Sequence, residues 1–276
     1  MNTNRLPTST LIIATYNWPK ALEKCLQSAF MQTILPDEII IADDGSGEET
    51  KQLIDELTLR SPIPINHIWH PDDGFRLSEI RNKAIATAQF DYIIQIDGDI
   101  IMEKHFIQDH LQMAKPNAFI CGSRVKLEEL PSKKIFAQNG LSISKREMSL
   151  GYVLNSFRSP LLGQLLADRY KRNQPTVLRG CNMSFWKSDL ISINGYNNDI
   201  TGWGSEDAEL AVRLINSGLK KRFLKFMGIV FHIYHKESDR ANQPKNKQIL
   251  KEAIENRTTW VKNGIKKEHD HEGRSI

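Results

Sequence analysis

Cysteine is scarce in this 276-residue chain: Cys25, Cys121 and Cys181 are an odd number without CxxC spacing. Neither a disulfide framework nor a thiolate zinc site is indicated, and each is expected to be a small buried apolar residue. No apolar run approaches the ~18–20 residues that span a bilayer, and the start MNTNRLPTST lacks the charged-then-apolar layout of a secretion signal. A cytoplasmic location is therefore expected. The charge excess is small as well, +4 from 37 basic and 33 acidic residues, too mild to argue for nucleic acid as a partner. Internal repeats and low-complexity tracts are absent. Missing too are a GxGxxG after the first apolar run and any GxxxxGK[ST], which removes the usual dinucleotide and P-loop phosphate cradles.

What remains is the composition of a soluble globular chain, 40% hydrophobic and 25% charged, long enough for one large domain or two small ones. Short β-branched runs predict strands at Leu11 to Thr15, Glu38 to Ala42, Ile63 to Trp69, Tyr92 to Ile96 and Ala118 to Ser123. Between the first two, Leu22, Cys25, Leu26, Ala29 and Phe30 recur at helical spacing, and similar stretches lie near 48–59, 78–88 and 103–114. Strand and helix taking turns implies α/β architecture, a mostly parallel sheet with helices on both faces. Residues 125–175 break this rhythm and read as helix and loop. The segment 124–187 carries 12 basic and 4 acidic residues, a net of +8, and could face an anionic partner. Beyond it come an apolar strand-like run from Val177 to Trp186, a loop from Asn194 to Gly204 and a helix from Ser205 to Asn216 stopped at Gly218. A strand from Arg222 to Phe226 and a polar helix near 246–263 follow, and the tail 266–276 reads as flexible.

In parallel sheets, ligands bind outside the carboxyl ends of the strands. Three such ends are chemically loaded: Thr15-Tyr16-Asn17, Asp43-Asp44-Gly45-Ser46 and Asp97-Gly98-Asp99. Paired carboxylates on a tight turn suit Mg²⁺ or Mn²⁺ completed by phosphate and water, although Asp and Gly also dominate ordinary turns. Arg76 and Arg81, in GFRLSEIRN, offer guanidinium groups to a diphosphate or belong to a charged helix surface. Gly202-Trp203-Gly204-Ser205-Glu206-Asp207 is the sharpest signal, a tryptophan between glycines followed by two carboxylates at a helix start. There the macrodipole favours an ionised carboxylate, as a general base requires, and the tryptophan face suits a sugar ring. His232 and His235, in FHIYH, are candidate ligands for a metal begun at Asp99, with a plain strand-end histidine as the alternative for one of them. Asn182, in RGCNM, is read as a polar group facing a loop.

Taken in order, TYN, ADDGS, GFRLSEIRN, IDGD, RGCNMSFW and GWGSED followed by a histidine resemble the family-2 glycosyltransferases of the GT-A fold across about residues 8–240. The downstream half is similar to that of galactosyltransferases, and HPDDGFRLSEIRN to bacterial chondroitin polymerases. The resemblance implies a GT-A (Rossmann-like) fold in one domain, 1–265, with a nucleotide-sugar half (1–124) and an acceptor half (125–265). It implies Asp207 as catalytic base, with Glu206, Trp203, Gly204 and Asn182 on the acceptor side. Thr15, Tyr16, Asn17, Asp43, Asp44, Arg76, Arg81, Asp97 and Gly98 would serve the nucleotide sugar. Asp99 would bind Mn²⁺ (or Mg²⁺) with His235 or His232.

The implied reaction is inverting transfer from a UDP-sugar to a hydroxyl of a glycan or polyprenyl-diphosphate-linked acceptor, in polysaccharide synthesis. Chondroitin polymerases carry two transferase modules and this chain has length for one, so processive copolymerisation is not expected of it. Peripheral contact with anionic inner-membrane lipid is a further expectation from the basic segment, beside direct binding of an acidic glycan. Two other classes remain open at this point. A sugar-phosphate nucleotidyltransferase should carry a Gly-rich basic loop after the first strand, which TYNWPKALEK lacks. A non-catalytic sugar-binding protein would have no use for the acidic motifs.

Overall fold

The computed structural model describes residues 5–138, 140–143, 150–236 and 240–266. The expected tail beyond residue 266, with His269 and His271, lies outside the described residues. The strands are β1 (Ser9–Thr15), β2 (Glu38–Asp43), β3 (Ile65–Trp69), β4 (Tyr92–Asp97), β5 (Ile100–Met102), β6 (Ala118–Gly122), β7 (Val125–Lys126), β8 (Met183–Trp186), β9 (Lys220–Leu224) and β10 (Val230–His232). Helices α1 (Pro19–Phe30), α2 (Glu48–Arg60), α3 (Leu77–Thr87) and α4 (Phe106–Met113) separate the early strands. Later come α5 (Glu129–Ala137), α6 (Leu150–Asn155), α7 (Pro160–Ala167), α8 (Lys187–Ser192), α9 (Glu206–Asn216) and α10 (Gln243–Glu255).

Seven strands form the main sheet in the order β3-β2-β1-β4-β8-β6-β9. Neighbours run parallel except β8, which is antiparallel to β4 and β6. Every residue of β1, STLIIAT, is buried, as a strand covered on both faces requires. Its alternation divides the core: Leu11 and Ile13 pack with Leu22, Cys25 and Leu26 of α1, whereas Ile12 packs with Ile80 and Ala84 of α3 and Leu210 and Leu214 of α9. The first cluster joins residues before 124 to Ala167, Cys181, Leu224 and Val230, so the two sequence halves share a core. All three cysteines are buried and free.

Boundaries shift in several places. The expected strand from Val177 is regular only over Met183–Trp186, and the one at Arg222 starts two residues earlier, at Lys220. The last helix ends at Glu255, not near 263. Among its described residues the irregular region holds three short helices, of which α7 leaves Leu161, Leu162 and Leu165 exposed. A second sheet, β5-β10-β7, was not expected. Its strands are three, three and two residues long, too short to show a period of two.

Candidate active site

The three loaded strand ends converge because their register is nearly level: Thr15 lies opposite Asp43 and Ala14 opposite Asp97. Outside them opens a cleft of about 1030 Å³, lined by Thr15, Tyr16, Asp44, Asp97, Gly98, Asp99, Trp203, Gly204, Glu206, Asp207, His232 and His235 among others. Most of the residues singled out in the sequence therefore face one cavity.

Asp97 ends β4, and the chain turns back at Gly98, whose N–H donates to Ala14 O at 2.7 Å. A side chain there would crowd Ala14 O and Thr15 Oγ1, each 3.1 Å from an added Cβ. Asp99 then enters β5, which pairs with β10 so that Ile100 faces His232, and Ile233 N–H donates to Asp99 O at 3.0 Å. The small sheet thus delivers His232, 133 residues downstream of Asp99, to the acidic turn. Asp99 Oδ2 lies 3.4 Å from His232 Nε2 and 3.3 Å from His235 Nε2. All three ligand atoms lie within 4.8 Å of one another.

This set fits a divalent cation. Ligand atoms held about 2.1 Å from one ion stand roughly 3 Å apart, close to the spacing found here. Asp99 Oδ1 is buried without a hydrogen-bond partner. Burial, and then the Asp97 charge, push the Asp99 carboxyl up to about 8, while burial and the Arg124 charge bring His232 down to about 3, leaving it neutral. His235 Nδ1 lies 2.6 Å from Lys236 O, a contact that fixes the ring and leaves Nε2 facing Asp99.

Arg81 occupies the floor of the cleft and is 1% exposed. Its Nη2 donates to Asp97 Oδ1 at 2.8 Å and its Nη1 to Asp207 Oδ1 at 3.0 Å, with the guanidinium 5.4 Å from the Tyr196 ring centre. The expectation that Arg81 serves a diphosphate meets a guanidinium already shared between two carboxylates. Arg76 is also engaged elsewhere: its Nη1 donates to Glu79 at 3.4 Å, its Nη2 to Pro71 O, and its backbone N–H to Asp44 Oδ2 at 2.9 Å. Arg76 does not line the cleft.

Asp207 is the second residue of α9. Besides Arg81 it accepts from Tyr196 Oη at 3.0 Å, and that hydroxyl also lies 2.8 Å from Gln95 Oε1. On its other side Gly180 presses close, since an added Cβ would fall 1.7 Å from Asp207 Oδ2. Glu206 does not match the ionised carboxylate expected at a helix start. Burial, with Asp207 beside it, raises its carboxyl to about 7, and Oε2 has no partner. Helix-end partial charge falls short of the desolvation cost here.

The preceding loop is held in left-handed backbone at Gly202 (φ 71°), Gly204 (φ 102°) and Ser205 (φ 75°). Asn246 of α10, fully buried, braces it by donating to Thr201 O at 3.0 Å. One face of the Trp203 ring is covered by Arg240, 4.7 Å from its centre.

On the nucleotide side Asp43 is fully buried and spent on His67 (3.0 Å) and Ser46 N–H (2.8 Å). Burial opposes ionisation, but these hydrogen bonds hold Asp43 below the usual carboxylate range. Asp44 accepts from His70 at 2.7 Å and reaches the cleft. Tyr16 donates to Asp72 at 2.8 Å and is half exposed; Asn17 receives Gly47 N–H at 2.9 Å and stabilises the turn.

Asn182 is a correction. Expected to face an acceptor, it is fully buried, donating to Ser123 O and Gly228 O at 2.7 Å each and facing His110 Nε2 at 3.0 Å. Its amide is saturated by the protein interior. Sequence reasoning in turn passed over Tyr196, Gln95 and Gly180. Gln95 carried a signal, a polar side chain inside the apolar run YIIQID; Tyr196 carried none.

A sequence profile described as glycosyl transferase family 2 matches residues 10–190, and one described as the N-terminal domain of galactosyltransferase matches residues 166–236. Chondroitin synthase from Escherichia coli is 25% identical over 228 residues, covering 76% of this chain and 32% of that protein. Validoxylamine A glucosyltransferase from Streptomyces hygroscopicus subsp. limoneus is 23% identical, covering 79% and 50%. Hyaluronan synthase from Pasteurella multocida is 26% identical, covering 83% and 24%. The chain thus spans half or less of the length of these relatives. Among solved structures, S. aureus TarS superposes with a TM-score of 0.61 at 13% identity, covering 90% of this chain and 40% of that one. The mannosyltransferase PcManGT from Pyrobaculum calidifontis, in complex with GDP-Man and Mn²⁺, gives 0.61 at 15% identity, covering 90% and 63%.

Proposed function

The chain belongs to glycosyl transferase family 2, with the GT-A architecture of its structural neighbours, and from that premise we propose that it moves a sugar from a nucleotide diphosphate donor, UDP-linked by our reading, to an acceptor hydroxyl with inversion. The observation that carries this reading is the meeting, in one cleft, of the Asp99-His232-His235 cluster and the Asp207 carboxylate held by Arg81 and Tyr196.

In this reading Asp44 and the Thr15-Tyr16-Asn17 turn receive the nucleoside, and Asp97 borders the ribose. Asp99 with His232 and His235 would hold Mn²⁺ or Mg²⁺, which when bound supplies charge neutralisation for the diphosphate. The acceptor oxygen forms its bond to the anomeric carbon as the bond from that carbon to the diphosphate oxygen breaks, the electron pair leaving with the diphosphate. Asp207 takes the hydroxyl proton, assistance that typically contributes ~10²–10⁴-fold. Arg81 and Tyr196 aim its Oδ1 and fix its orientation, while Gly180 leaves space at Oδ2. Glu206, with an unpartnered oxygen facing the cleft, and Trp203 hold the acceptor sugar.

The acceptor is read as a glycan or a polyprenyl-diphosphate-linked glycan, in surface polysaccharide synthesis. Peripheral contact with anionic membrane is proposed through Leu154, Phe157, Leu161, Leu162 and Leu165, exposed within the basic segment. No helix among the described residues is long and apolar enough to cross a membrane. Sedimentation with anionic liposomes tests the contact: salt-sensitive binding is expected, and none even at low salt removes it. The transferase reading is tested with a panel of UDP- and GDP-sugars plus Mn²⁺, scored for donor hydrolysis and thermal stabilisation. One donor should raise Tm and release nucleoside diphosphate; a flat response to all would remove the reading.

A further inference from the structure

Among the described residues, two cations beside the acidic turn have no carboxylate of their own. Val125 of β7 is 1% exposed, and strand alternation turns its neighbours Arg124 and Lys126 the other way, where both line the cleft. β7 runs beside β10, and Lys126 is directly opposite His232. Among the described residues neither side chain makes an ion pair with a carboxylate, and Arg124 Nε is shielded from solvent with no partner. A guanidinium nitrogen left unpaired at a cleft wall is costly unless a ligand completes it.

Its neighbours identify the ligand's place. The Arg124 charge acts on Asp97, Asp99, His232 and the Cys181 thiol, all on the acidic-turn side. Of the other arginines that line the cleft, Arg81 spends Nη2 on Asp97 and Nη1 on Asp207 and keeps only a buried Nε without a partner, Arg240 lies over the Trp203 ring, and Arg179 is exposed with Nη1 donating to Leu178 O. Arg124 is the one beside the acidic turn whose planar fork is not engaged by a carboxylate among the described residues, and that fork can meet phosphate oxygens in bidentate fashion.

We propose that Arg124 and Lys126 form a protein clamp for the diphosphate of the nucleotide sugar, on the strand next to His232. This rests on the transferase reading above. The clamp grips the diphosphate in the bound donor and its added negative charge once the sugar has left, so it favours departure of the leaving group. Arg124 supplies the directional contact, and Lys126, more exposed, adds a point charge at the rim.

Calorimetric titration of the whole chain with UDP, UMP and GDP, each with Mn²⁺ and with EDTA, tests the clamp. Wild type should prefer UDP over UMP. In Arg124→Ala that preference should fall at least tenfold with UMP affinity within about twofold of wild type, and Arg124→Lys should restore part of it. Lys126→Ala, at an exposed position, should lower UDP affinity about threefold and serves if Arg124→Ala does not fold. Unchanged UDP affinity in Arg124→Ala, or in Lys126→Ala where that variant must serve, overturns the clamp, as does an equal loss of UMP affinity. If wild type binds neither UDP nor GDP, the transferase reading itself falls and the clamp with it.

Discussion

Arg81 and Asp207 lie 126 residues apart in the sequence and meet at 3.0 Å, Nη1 to Oδ1, beneath the floor of the cleft. The second arm of the same guanidinium holds Asp97 at 2.8 Å. One buried side chain thereby fixes the distance between the acidic turn on β4 and the proposed base on α9. Removing it leaves two carboxylates close together without their shared counter-charge.

Arg81→Met should accordingly cost on the order of 3 kcal/mol of stability, the usual consequence of breaking a buried pair from one side. Arg81→Lys keeps the charge but loses the fork, so it should retain more stability while still losing at least tenfold in kcat. Urea unfolding and steady-state rates measure both, and wild-type kcat in Arg81→Lys would show that the fork does not position Asp207.

Gly180→Ala probes the other side of Asp207. An added methyl would sit 1.7 Å from Oδ2, so the carboxylate has to move. kcat should fall by about two orders of magnitude, as a displaced catalytic group of ~1 Å can cost. Donor affinity should stay near wild type, because the acidic turn and Asp44 are untouched. Equal losses in donor affinity and kcat would indicate a general collapse of the cleft.

Much of this was legible in the sequence, and the exceptions share a cause. Strands β1, β2 and β4 announce themselves as continuous β-branched runs, and their polar ends, acidic at β2 and β4, stand out under the rule that ligands gather at carboxyl edges. Asp99, His232 and His235 were named as one group, yet what assembles them is the pairing of β5 with β10, strands of three residues with no periodic signal. Asn182 failed for a different reason. A polar residue beside a chemically loaded motif looks functional, but three polar partners, Ser123 O, Gly228 O and His110, required an amide where packing had excluded water. Arg81 shows the same limit: the motif offered an arginine for a diphosphate, and only the tertiary fold shows its Nη1 and Nη2 already held by Asp207 and Asp97.

Metal binding should release a proton. Asp99 is raised to about 8 by burial and by Asp97, whereas His232, at about 3, is already neutral. A cation requires the ionised carboxylate, so close to one proton should leave on Mn²⁺ binding at pH 7. Apparent affinity should rise about tenfold per pH unit below pH 7 and level off above pH 8. Calorimetry in buffers of different ionisation enthalpy counts the proton. A pH-independent affinity would mean that Asp99 is ionised before the metal arrives or does not bind it.

The most direct measurement compares sugar transfer by wild type and by Asp207→Asn, with the donor that stabilises the protein, Mn²⁺ and an acceptor glycan. Transfer should fall by 10²-fold or more, in the usual range for a lost general base, while Kd for UDP stays within a few-fold of wild type. Near-normal turnover in Asp207→Asn would contradict its assignment as the base and with it the proposed chemistry of the cleft.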